Sequence, residues 1–356
     1  MHCQCIHEFG QPLAAQERPD MTPEGTEVVL RVTAAGVCHS DLHVREGGFD
    51  LGHGRRMSYE ERGVKLPLVV GHETTGQVVA AGPDAGEIDP DTHYVVYPWC
   101  GCGSCPACKD GNEQLCVTPG FLGVHRDGGY ATQIRVPHPK YLFEIGDLDP
   151  TFAAPLACSG LTTYSALKKV EPTLKSHRTV LIGGGGLGLM CLQLIKALGG
   201  QAPVVVDIDP TKRAAAIEAG AAASVDPADK DAIAQIHAAC DGAPMAAIDF
   251  VGAPATSELG FDVLGKGGTL IMVGLFGGAT PWALPLIPMK SVSVRGSYTG
   301  SLSEFDELMT LVRTGALSPI PTRTWPLTQA QEVMDLLEDG KIIGRALLIN
   351  DAEATG

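Results

Sequence analysis

The sequence is poor in aromatic side chains and in positive charge, and each shortage excludes something. Phe, Trp and Tyr make up 5% of the 356 residues, so aliphatic side chains must fill most of the core. Lys and Arg number 26 against 41 Asp and Glu, which gives a formal net charge of −15. Because nucleic-acid binding needs clustered basic residues to neutralise phosphate, this balance argues against a nucleic-acid partner.

Long apolar runs are also missing. No stretch approaches the roughly 18 residues needed to span a bilayer, so we expect no membrane partner. The segment Met1–His7 has no basic region followed by an apolar stretch and does not read as a signal peptide, so we expect a cytoplasmic location. In that setting 11 cysteines favour metal binding or catalysis over disulfides.

The residue pattern changes near residue 155 and predicts two domains. Residues 1–155 read as short β-branched strands between Gly and Pro, typical of an all-β domain. Residues 156–299 alternate short apolar strands with helical stretches, which predicts a doubly wound parallel sheet, α/β in class. We expect the tail, 300–356, to return to the first domain.

A glycine-rich loop joins a predicted strand to a predicted helix. The run 183–188 satisfies G-x-G-x-x-G, which suits a tight turn and close approach of a pyrophosphate to the helix N-terminus. Asp207 follows 19 residues after Gly188 and ends the next predicted strand, where a carboxylate can bond ribose hydroxyls and repel a 2′-phosphate. The pattern therefore predicts NAD over NADP, although Lys212 and Arg213 could weaken the preference. The alternative is a flexible loop with a surface Asp.

Four cysteines crowd one loop. The spacing C-x₂-C-x₂-C-x₇-C is formed by Cys102, Cys105, Cys108 and Cys116. Four thiolates satisfy tetrahedral Zn²⁺ and leave no open position, so we expect a structural zinc site. Disulfides and an iron–sulfur cluster are the alternatives, and Cys100 could stand in place of Cys102.

A second set of soft ligands is scattered along the chain. Cys38, His72 and Cys158 would together make a Cys₂His set with one open position, the pattern of a catalytic zinc. Each residue could instead have a purely structural role. A lone Cys is usually a small buried apolar residue, and a lone His is usually a hydrogen-bonded residue that binds no metal. Sequence distance alone does not bring the three together.

Taken together, these motifs resemble the zinc-containing medium-chain alcohol dehydrogenases over nearly the whole chain. The segments that carry the resemblance are 36–41, 71–73, the cysteine loop, 155–164, the glycine loop and 343–345. The detail is most similar to tetrameric NAD-dependent enzymes of archaea and bacteria. The resemblance implies a GroES-like catalytic domain at 1–155 and 300–356, a Rossmann domain at 156–299, two zinc ions per subunit, and a homotetramer or homodimer.

The resemblance also implies residue roles. Cys38, His72 and Cys158 would hold the catalytic zinc, Glu73 would be the nearby acid, and Asp41 would orient His72. Ser40 and His43 would relay the proton. The implied cofactor contacts are His39, Thr162, Gly183, Gly185, Gly186, Leu187, Gly188, Asp207, Lys212 and Arg345.

The implied activity is reversible hydride transfer between NAD and a primary or secondary alcohol. Phe49 and Trp99 are our candidates for the substrate wall, with Phe121 and Leu122 nearby, and core packing is the alternative for each. The competing functions are the same chemistry on a polyol, amino alcohol or cyclic hydroxyacyl compound, a non-catalytic nucleotide-binding protein, and a redox-sensing zinc protein. The zinc ligands count against the non-catalytic reading.

Overall fold

The computed structural model describes residues 1–350 and begins with a β-rich region. Three short α-helices occur in this region: α1 (His39–Glu46), α2 (Pro106–Lys109) and α3 (Pro150–Ala153). Its strands are β1 (His2–Ile6), β2 (Ala14–Glu17), β3 (Val28–Val37), β4 (Gly48–Gly52), β5 (Arg55–Ser58), β6 (Leu68–Val69), β7 (Glu73–Ala81), β8 (His93–Val96), β9 (Gln133–Val136) and β10 (Leu142–Glu144).

The long strand β3 is the centre of the largest sheet. It pairs antiparallel with β7, and β9 also pairs with its first half. The pairing of Gly36 with Glu73 brings the end of β3 beside the start of β7. Gly36 is required there, since a Cβ at this position would collide with the Glu73 carboxylate. The sheet therefore places Cys38 and His72, which flank these strand ends, next to each other.

The middle of the chain forms a parallel sheet covered by helices. Its strands are β11 (Val180–Ile182), β12 (Val204–Val206), β13 (Ala223–Val225), β14 (Ala246–Asp249), β15 (Thr269–Met272) and β16 (Ser293–Gly296), in the order β13-β12-β11-β14-β15-β16. Its helices are α4 (Ser159–Lys168), α5 (Glu171–Leu174), α6 (Gly186–Ala197), α7 (Pro210–Glu218), α8 (Ala232–Ala239), α9 (Pro254–Val263) and α10 (Leu286–Lys290). The strand order is that of a doubly wound nucleotide-binding fold, with a switch point beside β11.

The last part of the chain extends the first sheet. It contains α11 (Leu302–Arg313), β17 (Thr322–Pro326), α12 (Ala330–Glu338) and β18 (Arg345–Ile349). Strand β18 pairs antiparallel with β3, with Ala346 opposite Val37. Arg345 therefore lies near the end of β3. The predicted segment 300–356 runs six residues past the described part of the chain.

Aliphatic side chains dominate the core, as the low aromatic content predicts. One large apolar cluster joins the first sheet to α4, α6, α11 and α12, and a second lies around β11, β12 and α9. Among residues 1–350, none of the helices has the length and apolar character to cross a membrane.

Candidate active site

Four buried side chains from three separate segments converge at the inner end of β3 and β7. Ligand atoms of Cys38, His72, Glu73 and Cys158 all lie within 4.8 Å of one another. Cys38 is the N-cap of α1, and Cys158 is the N-cap of α4. The structure thus brings together the three predicted ligands, and it places Glu73, the predicted nearby acid, in the same group.

Asp41 holds the His72 ring in place. Its Oδ1 lies 2.9 Å from Nδ1 of His72, and it also accepts the backbone N–H of Gly71 at 3.2 Å. The other oxygen accepts the backbone N–H of Cys38 and the hydroxyl of Tyr130. Burial alone would lower the pKa of His72, but the Asp41 charge and hydrogen bond outweigh it and raise that pKa well above 6.5.

The second nitrogen of His72 has no partner. Nε2 is buried and makes no hydrogen bond within residues 1–350, although buried polar atoms are nearly always paired. The hydrogen bond from Cys158, the largest influence, lowers the pKa of Cys38 well below 9.0 and favours its thiolate. Two sulfurs and an unpaired imidazole nitrogen at this spacing fit a zinc ion with one position left open.

Glu73 and Arg345 form an ion pair behind this group. The Arg345 guanidinium donates to Oε2 of Glu73, and both side chains are buried. Oε1 of Glu73 accepts the backbone N–H of Ser159 at 3.3 Å. Burial raises the pKa of Glu73 to about 7, although Arg345 pulls it down. A buried charge needs such a partner, so β18 completes the site that β3 and β7 begin.

The four-cysteine loop also closes on itself. The sulfurs of Cys102, Cys105, Cys108 and Cys116 lie within 4.8 Å of one another. The hydroxyl of Ser104 is the largest influence lowering the pKa of Cys102, to about 5. Cys100 lies outside this group, where its buried thiol points to the Tyr97 carbonyl. The four thiols fit a zinc ion without an open position.

The glycine loop lies between β11 and α6. Gly183 adopts a φ of +103°, and a Cβ on Gly188 would collide with the Gly183 carbonyl, so both positions need glycine. Asp207 accepts the backbone N–H of Gly184 at 2.7 Å. Gly185 is the N-cap of α6, and the Arg345 side chain lies directly against Gly186. The N-terminus of α6 and the Arg345 side chain thus lie next to each other, an arrangement that fits a pyrophosphate.

Comparison with known proteins gives a family match for each of the two parts of the chain that form this site. Residues 24–147 match the alcohol dehydrogenase GroES-like domain, and residues 186–314 match the zinc-binding dehydrogenase domain. An NAD-dependent alcohol dehydrogenase of Sulfurisphaera tokodaii is 37% identical, over 98% of this chain and 100% of the relative. The chain belongs to the zinc-containing medium-chain alcohol dehydrogenase family.

Other members of the family agree in sequence and in fold. An NAD-dependent alcohol dehydrogenase of Saccharolobus solfataricus is 38% identical, over 96% of this chain and 98% of the relative. The crystal structure of the alcohol dehydrogenase from Aeropyrum pernix superimposes with a TM-score of 0.88 at 31% identity, covering 98% of this chain and 100% of that one. The predicted fold class, a GroES-like domain with a Rossmann domain, is confirmed.

In this family member an aromatic wall borders the Cys38–His72–Cys158 group. The ring of Trp99 lies 5.3 Å from that of His72 and 5.4 Å from that of Phe121. The indole N–H donates to the Ala157 carbonyl at 3.1 Å, which fixes the Trp99 ring. Leu122 is fully buried behind this wall.

The predicted relay residues lie on α1 beside a second aromatic group. Ser40 and His43 are three residues apart, so they share one face of the helix. The His43 ring lies 4.7 Å from the ring of Phe49 on β4. Burial lowers the pKa of His43 below 6.5, and the nearby His39 lowers it further.

The remaining predicted cofactor contacts lie on four helices, α1, α4, α6 and α7. Desolvation in the cleft lowers the pKa of His39, and the cations of Arg345 and Lys212 add to this effect. Lys212, on α7, lies close to Gly340 across the cleft. Leu187 begins the apolar face of α6, and Thr162 lies one turn into α4, with its N–H bonded to the Cys158 carbonyl.

Sequence reasoning missed several polar groups of the site. Tyr130, which donates to Asp41, lies in a Gly-rich loop without a motif. Glu113 accepts from the Gly101 N–H, Lys140 and Tyr141 and thereby anchors the cysteine loop. The one signal for Glu113 was its position between the third and fourth cysteine.

Proposed function

We propose that this chain is a zinc-dependent alcohol dehydrogenase, which transfers hydride reversibly between a primary or secondary alcohol and NAD. One observation carries the proposal: Cys38, His72 and Cys158 converge, and His72 presents an unpartnered Nε2 to the two sulfurs. The glycine loop with Asp207 supplies the nucleotide site on the other side of the cleft. When bound, zinc supplies a Lewis acid that lowers the alcohol pKa, and NAD accepts the hydride.

Residues of the chain orient the metal ligands and exclude water from this site. Asp41 fixes the tautomer of His72, so that Nδ1 carries the proton and Nε2 faces the two sulfurs. Trp99 and Phe121 exclude water from one side, which strengthens electrostatic interactions within the cleft. The Glu73–Arg345 pair keeps a buried carboxylate beside the ligand group without leaving its charge unpaired.

Ser40 and His43 provide a proton path. The Ser40 hydroxyl accepts the proton that the alcohol releases as it gives up its own along the path to His43. The His43 imidazole binds that proton and then releases it to solvent. The lowered pKa of His43 keeps its imidazole neutral near pH 7, and therefore able to accept. The Phe49 ring, tilted at 49° to the His43 ring, covers one side of it.

Charged residues account for most of the proposed contacts with the nucleotide cofactor. Asp207 selects NAD because its carboxylate binds ribose hydroxyls and repels a 2′-phosphate. Lys212 and Arg345 supply positive charge to the pyrophosphate at the N-terminus of α6, and His39, whose pKa is lowered, offers a neutral imidazole N–H. Thr162 contributes from α4, beside the Cys158 carbonyl.

The test is a panel of alcohols with NAD and NADP, before and after chelation. We expect NADH to form with primary or secondary alcohols, activity to disappear on chelation, and zinc alone to restore it. The variant Cys158→Ala should lose this activity, whereas Cys191→Ala, a buried thiol on α6, should keep it. Full activity in the metal-free enzyme would exclude the proposal.

A polyol substrate is the second candidate, and the lining of the cleft argues against it. Aromatic rings on both walls leave few partners for a row of hydroxyls, and a desolvated hydroxyl without a partner is costly. Sorbitol or ribitol oxidised faster than 1-butanol or benzyl alcohol would reverse this order.

We propose that the enzyme acts in the cytoplasm and assembles as a homotetramer or homodimer. Within residues 1–350, strand β16 is the edge strand of its sheet and pairs only with β15, and large exposed apolar side chains precede it. Phe276 is 71% exposed, Leu284 is 73% exposed and Met289 is 69% exposed, which is unusual for a monomer surface. Light scattering during size-exclusion chromatography would measure the state, and Phe276→Lys should weaken it.

A further inference from the structure

Tyr59 is a largely buried tyrosine whose hydroxyl has no hydrogen-bond partner among residues 1–350. The residue is only 6% exposed. Within residues 1–350 its hydroxyl makes no hydrogen bond, although the hydroxyls of Tyr97, Tyr130 and Tyr141 all do. The oxygen is not one of the buried unpaired polar atoms of the described residues, so this hydroxyl is accessible and available to a ligand.

Tyr59 lies in the cleft, two rings away from the proposed relay histidine. It directly follows β5 of the β4–β5 hairpin, and its ring lies 5.3 Å from that of Phe49. Phe49 in turn contacts His43 at 4.7 Å. The Arg62 guanidinium covers the ring at 5.7 Å, so the tyrosine is held from both sides.

The opposite wall also carries a tyrosine. Tyr298 follows β16, and its ring lies 6.4 Å from that of Trp99, which contacts His72. Burial raises the pKa of Tyr59 well above 10, and the charges of Tyr298, Asp41 and Cys38 contribute in the same direction. The Tyr59 hydroxyl is therefore within electrostatic range of both walls and of the ligand group.

The hairpin that carries Tyr59 is anchored across the cleft. The backbone N–H of Gly278, on the nucleotide-binding side, donates to the Asp50 carbonyl on β4 at 3.1 Å. The N–H of Tyr59 donates to the Gly47 carbonyl at 3.0 Å, which fixes the base of the hairpin. These bonds fix the hairpin backbone beside the aromatic rings of the cleft.

We propose that Tyr59 is a specificity-determining residue whose hydroxyl hydrogen-bonds a second polar group of the substrate. The preferred substrate is then an aryl alcohol whose ring carries a hydroxyl away from the carbinol. The rings of Phe49, Trp99 and Tyr298 suit the aromatic body, and Tyr59 supplies the matching polar contact. This inference rests on the proposed dehydrogenase function and deepens it.

The energetics favour discrimination by this contact. A site that hydrogen-bonds a substrate hydroxyl discriminates strongly against an analogue without it, because its own polar group then stays unpaired. A methyl group of similar size gives no such bond. The comparison of hydroxy- with methyl-substituted benzyl alcohols therefore isolates the hydrogen bond from shape.

The test compares kcat/KM for the three hydroxybenzyl alcohols with the three methylbenzyl alcohols, in the holoenzyme and in Tyr59→Phe. For at least one ring position we expect the hydroxy-to-methyl ratio to fall about tenfold in the variant, the effect of one net hydrogen bond. The methyl substrates should keep their kcat/KM within about twofold. Tyr94→Phe, which removes a hydroxyl bonded to the distant Asp89 carbonyl, should leave every ratio unchanged.

Three outcomes are distinguishable. A selective fall in Tyr59→Phe supports the proposal. Equal ratios in wild type and variant at all three ring positions overturn it, and would mean that the hydroxyl meets only water. If wild type oxidises none of the six alcohols, and no other alcohol, with NAD, then the proposed function itself has failed.

Discussion

Asp41 and His72 form a fully buried pair, with Oδ1 of the carboxylate 2.9 Å from Nδ1 of the ring. The same carboxylate accepts two backbone N–H groups and the Tyr130 hydroxyl. Through these bonds, the Asp41 carboxylate connects the end of β3, the start of β7 and the loop that carries Tyr130 to the His72 imidazole. The metal-facing nitrogen of His72 is set by this network, not by the metal alone.

Replacing Asp41 with Asn should weaken the catalytic zinc site. The amide keeps the shape but carries no charge, and one of its two groups is a donor that faces other donors. We expect zinc affinity or kcat/KM to fall about 10- to 100-fold, as for other residues that orient a metal ligand. Chelator competition measures the affinity. The exposed Asp147→Asn should match wild type, and unchanged zinc affinity in Asp41→Asn would contradict the assigned role.

The metal count distinguishes the two zinc sites. Wild type should contain two zinc ions per subunit by elemental analysis. Cys105→Ser should contain one and melt at a lower temperature, because the loop loses a ligand of a closed site. Cys100→Ser should keep two, since that thiol lies outside the group. A loss of zinc in Cys100→Ser would mean that the sequence register of the loop is wrong.

A site could be predicted from the sequence alone only where its functional residues lie close together along the chain. The cysteine loop and the glycine loop were predictable because all their functional atoms lie within one short segment, where spacing alone restricts geometry. The fold class followed from alternating strands and helices. For Cys38, His72 and Cys158 the residues by themselves left open whether they meet, and the resemblance to a family was needed. Tyr130 and Tyr59 were not predictable, because their contacts depend on the packing of distant loops.

Cofactor choice should depend on Asp207. In Asp207→Ala the repulsion of a 2′-phosphate and the bonds to the ribose are both lost. We therefore expect the NAD-to-NADP ratio of kcat/KM to fall at least about tenfold, as for the loss of one good charged contact. The neighbouring Asp209, which caps α7, provides a matched control, and Asp209→Ala should keep the ratio. An unchanged ratio in Asp207→Ala would remove this residue from the nucleotide site.

Ser40 should matter for turnover but not for zinc. Ser40→Ala removes the first group of the proposed proton path and leaves Cys38, His72 and Cys158 unchanged. We expect kcat to fall by about 10² or more, the usual contribution of a positioned proton-transfer group, with the zinc content still at two per subunit. The conservative variant Ser40→Thr keeps a hydroxyl and should recover part of the activity. Wild-type kcat in Ser40→Ala would exclude the relay.

The pH dependence of alcohol oxidation should report His43. Burial is the largest cause of its lowered pKa, and His39 acts in the same direction, while Cys38 and Glu46 act against them. Neutral imidazole accepts the proton, so kcat/KM should hold steady around neutrality and decline only as the pH falls through a value below 6.5. Protonation at lower pH removes the acceptor.

His43→Gln supplies the variant that assigns this acidic limb. Glutamine cannot accept the proton, so the limb below pH 6.5 should vanish and kcat near neutrality should drop by about 10². The exposed His7→Gln controls for loss of a histidine and should retain the wild-type profile. Exogenous imidazole should restore part of the rate in His43→Gln, since a free base can replace the missing one at the mouth of the cleft. An acidic limb that survives in this variant would belong to another group, and His43 would then have no part in the proton path.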